Sequence, residues 1–455
     1  MLLNTLKKKC SRGYQYLLTS FSFKQKNILK LLAKLSHRKK LNSEKVCFYY
    51  YRLGMYYSVI RHPYDGYGWR GNLAKAVSYA AVGKYELAEK YIDLLCNKLK
   101  LPRLFLQKLA LDISPYMPRT SLSLIEELDE VSVFKFALLI SLRELSEAKD
   151  LLNELEKQNK TQRDDIEVSL YRLNLESNNA KKLFWLNKVF IKFELEPIQL
   201  INAHEPLSVK NITCSLKCVK TEKSLVSILV TTYNSGEFID TVIESLLMQT
   251  YSNIEIIITD DASIDNTREI LNKYAELDSR IKLLYLSENV GTFVAKTKGL
   301  ELVNGSFVTC HDSDDWAHPR KIELQVMPLL QNKQLVCTTS QWIRLSGEGN
   351  IYTRKIYPAL RLNPASPMFR KDLVLKKAGY WEPVKTGADS EFIERLKIIF
   401  GNDAMYQVKK PLTIGFHRRG SLMTDRITGY SSTEGTRKRL DYWESWRNKH
   451  ISNII

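Results

Sequence analysis

Between residues 226 and 341, five short apolar runs rich in β-branched residues are separated by amphipathic stretches. That alternation restricts the architecture more than any other property of the chain. Val226–Thr232, Ile254–Asp260, Ile281–Leu286, Ser306–Asp312 and Leu335–Gln341 read as buried strands, too short for helices and too apolar for loops. Helical patterns at 237–248, 265–277 and 292–303 separate the first four, giving the order βαβαβαβ. Such an order requires right-handed crossovers, hence an α/β fold with a mainly parallel sheet and helices on both faces. In sheets of this kind ligands bind beyond the carboxyl ends of the strands.

Polar residues gather at those ends. The first strand runs into Thr231-Thr-Tyr-Asn-Ser235, the second into Asp260-Asp261-Ala-Ser-Ile-Asp265 and the fourth into His311-Asp312-Ser-Asp-Asp315. At least four carboxylates would face one crevice, where unpaired they would raise each other's pKa. A hard divalent cation, Mn2+ or Mg2+, relieves the conflict. Such an ion is held by one or two carboxylates and completed by substrate phosphates, so the crowded acids read as a seat for a metal-bound diphosphate.

The motifs TTYNSGEFIDTVIESLLMQTY, IEIIITDDASIDNT and FVTCHDSDDW, in this order, resemble the GT-A fold glycosyltransferases of family 2 over residues 224 to 430, about half the chain. The resemblance implies an inverting transfer of sugar from a nucleotide-sugar, UDP-linked, to a hydroxyl of a growing surface glycan or glycolipid. It implies Asp260 and Asp261 at the nucleotide base, cradled by Thr232 and Tyr233. Asp312 and Asp314 match the DxD pair that holds ribose and metal-diphosphate, with Ser313 between them in the donor site and Asp315 as a further contact. Lys296 would meet phosphate. In Ile414-Gly-Phe-His-Arg-Arg-Gly-Ser421, His417 would be a metal ligand and Arg418 or Arg419 a bidentate phosphate clamp. Asp389, in Gly387-Ala-Asp-Ser-Glu391, stands where the family's catalytic base stands, with Glu391 as its alternate. A carboxylate there, at a helix N-terminus, would stay ionised and could take a proton from the acceptor hydroxyl. Read without the resemblance, Asp389 is an ordinary helix cap. Three departures bear on donor fit and on catalysis: Thr231 replaces a common proline, Ala295-Lys-Thr297 an ARN-like motif, and Ala388 a glutamate. Among the tryptophans, Trp316, Trp342 and Trp381 read as pocket walls or core.

Residues 64 to 200 are helical in pattern and almost free of strand signals. Ala80-Ala-Val-Gly-Lys-Tyr-Glu-Leu-Ala88 resembles the middle of a tetratricopeptide repeat, with a weaker echo at Leu142–Ala148. An all-α, helical-repeat-like domain over 64–200 is therefore expected, docking a protein partner, with an ordinary bundle as the alternative. A linker over 201–224, the catalytic domain over 225–430 and a C-terminal helix over 431–455 complete the division.

The net charge of +18 is uneven: residues 1 to 45 carry twelve Lys or Arg and one acid, Glu44. Interleaved with Leu2, Leu3, Leu6, Phe21 and Phe23, this arm, the core of a basic amphipathic segment over 1–63, suits an anionic membrane face, each basic group adding about 1 kcal/mol near the surface. No nucleic acid partner is expected, given the acidic site downstream. No window approaches the length of a membrane-spanning helix and no secretory signal is read at residue 1, so a cytoplasmic protein, peripheral on the inner face of the membrane, is expected. Seven cysteines, Cys10, Cys47, Cys96, Cys214, Cys218, Cys310 and Cys337, are sparse and odd in number and read as reduced thiols. Two rivals stay open: a non-catalytic helical-repeat adaptor with a degenerate nucleotide-sugar-binding domain, and a metal-dependent nucleotidyltransferase. The second would show a Gly- and Lys-rich phosphate loop after the first strand, where this chain has TTYNSGEF.

Overall fold

The computed structural model describes residues 44–128, 131–157, 162–214, 216, 224–430 and 432–453. The basic arm expected at a membrane surface lies outside the described residues but for its last two positions. The described residues form two compact units, one within 1–130 and 430–455 and one within 131–429.

The first unit is helical, with α1 (Glu44–Arg52), α2 (Tyr56–Arg61), α3 (Trp69–Ala81), α4 (Tyr85–Asp93), α5 (Arg103–Ile113) and α6 (Pro118–Glu127). The tight turn between α3 and α4 has Gly83 at φ +79°, which a residue without a Cβ adopts freely, and Ala80 and Ala88 are buried where the two helices meet. Glycine and alanine therefore sit where the sequence pattern needs them. The C-terminal helix, Thr433–Ser452, belongs to this unit; its buried Glu444 accepts from the Ser58 hydroxyl at 2.8 Å, and Trp443 donates to the Leu53 carbonyl at 2.7 Å.

The second unit opens with four helices, α7 (Val133–Leu142), α8 (Leu145–Lys157), α9 (Gln162–Arg172) and α10 (Asn179–Lys192). Its sheet contains β1 (Val226–Thr232), β2 (Ile254–Asp260), β3 (Ile281–Tyr285), β4 (Phe307–Asp312), β5 (Trp316–Ala317), β6 (Cys337–Ser346), β7 (Arg361–Leu362), β8 (Met368–Arg370) and β9 (Met405–His417). Their order is β3-β2-β1-β4-β8-β6-β9-β5, with β7 paired to β6. The β1–β4 half is parallel, as the alternation predicts; β8 runs antiparallel to both its neighbours and makes the whole sheet mixed.

Strand parity explains both the apolar runs and the site. Ile228, Val230, Ile256 and Ile258 face one core with α11 (Ile239–Leu247), α12 (Thr267–Leu277) and α14 (Lys321–Gln331). Leu229, Ile257, Val308 and Cys310 face a second core with α13 (Thr292–Gly299), α15 (Lys371–Ala378) and α16 (Ala388–Phe400). Strands covered on both faces need apolar residues at every position, which is why they read as continuous runs rather than alternations. Continued to the strand ends, the same period of two sends Asp260 to the α12 side and Asp312 to the α13 and α16 side.

The boundary between units falls at residue 130, inside the stretch read as one helical domain over 64–200. Polar contacts explain why α7–α10 join the sheet unit. Buried Glu167 accepts from the Ala359 and Leu360 amides at 2.6 and 3.2 Å, Tyr171 donates to the Ile356 carbonyl, and Lys182 donates to the Glu348 carbonyl at 2.6 Å. The stretch read as a linker is partly built: Gln199–Leu200 pairs with Ile212–Thr213, and Asn211 donates to the carbonyls of Asn202, Glu205 and Pro206. Among the described residues Cys47, Cys96, Cys214, Cys310 and Cys337 are free thiols, and no helix is long and apolar enough to cross a membrane.

Candidate active site

Strand register assembles the first half of the site. Thr232 of β1 pairs with Asp260 of β2, and Thr231 with Asp312 of β4, so these residues line one edge of the sheet. Asp260 is fully buried; its Oδ2 accepts from Arg268 Nε at 2.6 Å and the Ser263 amide at 3.1 Å. Its Oδ1 and the Thr232 hydroxyl are both buried and without a partner among the described residues. An unpaired buried donor or acceptor costs about 1–3 kcal/mol, so two of them at one strand edge mark a place where a ligand supplies the missing bonds. Tyr233 beside them is 47% exposed, free to offer its ring to such a ligand.

The second half lies on the opposite face. Lys296 of α13, 1% exposed, places Nζ 3.4 Å from Asp389 Oδ1 and 3.7 Å from Asp312 Oδ1. Three elements distant in sequence thus meet at one ammonium group. Burial works against the Lys296 charge, but the Asp389 and Asp312 carboxylates outweigh it and hold its pKa above the ordinary lysine value. Burial pushes the Asp389 carboxyl up, Lys296 pulls it down and Asp312 pushes it up again, leaving it at about 6. Asp389 makes no side-chain cap to its own helix, whose N-cap is Gly387 at φ +89°. Burial thus opposes the ionised form that a helix N-terminus favours, yet with its pKa at about 6 the Asp389 carboxyl is still ionised at neutral pH.

The residues around Asp312 divide by what they touch. Asp312 is 39% exposed in its side chain, open to the crevice. Asp314 is paired with Arg418 at 2.9 Å, and burial raises its pKa despite that guanidinium. Asp315 is turned inward: its Oδ1 accepts from the Phe416 amide at 3.0 Å, and burial with the Asp314 and Asp312 charges holds it well above the usual carboxylate range. Ser313 shares a hydrogen bond with Ser235 at 3.1 Å. Beneath the turn, His311 bonds the Asp315 carbonyl at 3.1 Å and receives buried Lys321 at 2.9 Å, so it braces the turn's backbone rather than the Asp312 carboxylate. Asp312 and Asp314 are hard oxygen donors, the raised Asp314 is the kind of group a cation relieves, and two carboxylates suffice for an ion completed by phosphates. Among the described residues no group of three or more protein ligands is placed to hold an ion unaided.

The remaining expected residues have other partners. Asp261 accepts from the Val290 and Gly291 amides at 2.7 and 2.8 Å, so it fixes the turn that leads into α13. Glu391, 2% exposed, is bound by Arg395 through Nε at 2.9 Å and Nη2 at 2.8 Å, which commits it to its own helix. His417 stacks flat on Tyr352 and is kept neutral by burial and by Arg344, its pKa lowered to about 4; its Nδ1 is buried and unpartnered among the described residues. Arg419 is exposed. Sequence reasoning missed Arg268, Thr292 and Arg344. Thr292 bonds Thr231 at 2.7 Å one helical turn before Lys296, so the substitution at Thr231 carried the signal for a polar partner.

Residues 227–385 match the sequence profile of the family described as Glycosyl transferase family 2. TuaG of Bacillus subtilis (strain 168), a glycosyltransferase assigned to teichuronic acid biosynthesis, is 42% identical over 104 residues, 23% of this chain and 41% of the relative. WfgD of Escherichia coli, a UDP-Glc:alpha-D-GlcNAc-diphosphoundecaprenol beta-1,3-glucosyltransferase, is 40% identical over 108 residues, 24% of this chain and 42% of that one. The chain thus spans less than half the length of these two relatives. Among solved structures, Staphylococcus aureus TarS 1-349 in complex with UDP-GlcNAc superposes with a TM-score of 0.39 at 19% identity, covering 50% of this chain and 70% of that one. The edge that holds Thr232, Asp260, Lys296 and Asp312 lies inside the matched segment, with Asp389 just beyond it, so it is over the part that builds the site that the chain is similar to glycosyl transferase family 2.

Proposed function

We propose that the chain is an inverting glycosyltransferase that moves a sugar from a UDP-linked donor to a hydroxyl of a surface glycan or lipid-linked acceptor. One observation carries the reading: Lys296 holds Asp312 and Asp389 together at the sheet edge, uniting a diphosphate-side carboxylate with one whose pKa of about 6 suits a general base. Asp260 and Thr232, with their unpaired atoms, take the base of the nucleotide on the other face. Asp389 accepts the proton of the acceptor hydroxyl as its oxygen attacks the anomeric carbon, and the bond to the diphosphate breaks on the opposite side. Arg418 supplies positive charge beside Asp314, where charge grows on the departing diphosphate. Asp312 and Asp314 would hold Mn2+ or Mg2+, which when bound supplies Lewis-acid stabilisation of that charge. Similarity to WfgD, a UDP-Glc-dependent enzyme acting on a diphosphoundecaprenol acceptor, supports a UDP-sugar donor and a lipid-diphosphate acceptor, and similarity to TuaG supports a surface glycan.

The test is release of UDP from a panel of UDP-sugars with Mn2+, through slow hydrolysis in the absence of acceptor. At least one donor should be turned over, and Asp389→Asn should lower transfer by about 10²–10⁴-fold while donor binding persists. Turnover of none, with UDP still bound, would favour the adaptor reading instead.

A further inference from the structure

Four residues near Asp314 form a cluster that the reaction above does not use. The Arg344 guanidinium of β6 sits 5.0 Å from the Trp342 ring centre and 5.2 Å from that of Tyr352, and Tyr352 stacks on His417 with centroids 3.4 Å apart and planes at 3°. Aromatic rings on two sides fix the orientation of a planar guanidinium. Of its donors, Nη2 reaches the Phe416 carbonyl at 3.3 Å, whereas Nε is buried and unpartnered among the described residues. Asp314 is already paired with Arg418, and the Arg344 charge reaches Asp314 and Asp315 from a distance. A second orphan, His417 Nδ1, belongs to the same cluster, since Ser346 and His417 stand in register two positions beyond Arg344 and Gly415. Two buried polar atoms without partners, one on a cation held between rings, call for an anionic ligand.

The wall that carries Tyr352 is rigid for a reason outside the sheet. Lys182 of α10 binds the Glu348 carbonyl and Asn350 Oδ1 at 2.6 and 2.7 Å, Asn174 receives the Ile351 amide at 3.0 Å, and Glu167 of α9 takes the Ala359 amide. Helices α9 and α10 thus hold residues 348–360 in place as a preformed surface. In sheet order β6 is four strands from β2, which carries Asp260, so the cluster is remote from the nucleobase end. Lys296 and Arg418 stand directly against Asp312 and Asp314.

We propose that Trp342, Arg344, Tyr352 and His417 form an acceptor subsite in which the guanidinium, oriented by the rings, takes a phosphate or carboxylate group of the acceptor. The assignment rests on the reading of the chain as a glycosyltransferase and adds that its acceptor is anionic. The experiment is isothermal titration of methyl phosphate and of glucuronate, at constant ionic strength, into the full chain saturated with UDP and Mg2+. One of the two should bind the UDP-loaded protein, and which one distinguishes a phosphate-bearing from a carboxylate-bearing acceptor. Arg344→Gln should weaken that binding about tenfold, and Arg344→Lys, which keeps the charge but loses the fork, by a smaller factor. Thermal midpoints of both variants check that they are folded. Competition of the anion with UDP, or equal binding by the unmodified chain and a folded Arg344→Lys variant, would overturn the proposal, as would binding of neither anion. Failure of UDP itself to bind the unmodified chain would instead overturn the transferase reading on which the proposal stands.

Discussion

With its ammonium 3.4 Å from Asp389 and 3.7 Å from Asp312, Lys296 sets the protonation of the carboxylate proposed as base. The Asp389 carboxyl titrates at about 6, above its ordinary value, so it is ionised and able to accept a proton at neutral pH and loses that ability as pH falls through 6. The expected kcat profile therefore has an acidic limb near pH 6. Lys296→Met removes the pull that opposes burial and leaves Asp312 pushing in the same direction as desolvation, so the limb should move to higher pH and activity at pH 7 should fall. A pH–rate profile of the variant checks this; an unmoved limb would assign the titration to another group. Asp389 and Lys296 were both legible in the sequence as residue types at motif positions. Their mutual contact was not, because 93 residues separate them and only the packing of α13 beside α16 on one sheet face brings them together.

At the scale of elements, α16 carries two carboxylates that the sequence offers as alternates for one role. Asp389 in its first turn points to Lys296, while Glu391 is gripped by Arg395 one turn on. The i,i+4 spacing of Glu391 and Arg395 was visible in the sequence, and it is the signal that this glutamate belongs to its helix. Glu391→Gln should cost about 2 kcal/mol of stability, since a buried charge-assisted fork is lost, and should change UDP release by no more than a few-fold. Urea unfolding midpoints and the donor-hydrolysis assay measure the two effects; a large loss of turnover with stability intact would return Glu391 to the chemistry. Asp261 illustrates the same point on a loop. Paired acids at a strand end read alike in sequence, yet one accepts two backbone amides that shape the entry to α13 and its neighbour keeps an oxygen free.

For the whole molecule, the division into units determines which fragment can fold. Helices α9 and α10 satisfy carbonyls and amides of residues 348–360, so a fragment beginning at residue 201 would leave those groups, the Ile356 carbonyl that Tyr171 binds among them, without these partners. A fragment of residues 131–429 should unfold in one cooperative thermal transition by circular dichroism, and a fragment of 201–429 should not; equal melting of the two would deny α7–α10 a structural part in the sheet unit. By itself the sequence determined the βαβ alternation, the strand limits to within a few residues and the gathering of acids at the strand ends. Those features depend on local period and on the sterics of β-branched side chains, which neighbours along the chain suffice to express. The tertiary structure alone decided the rest: that Asp260 and Asp312 face opposite sides of the sheet with different partners, that helices read as a separate repeat brace residues 348–360, and that the Arg344 guanidinium lies between two rings with its Nε unpartnered among the described residues. Each depends on contacts between distant segments, and a contact of that kind leaves no periodicity in the chain that makes it.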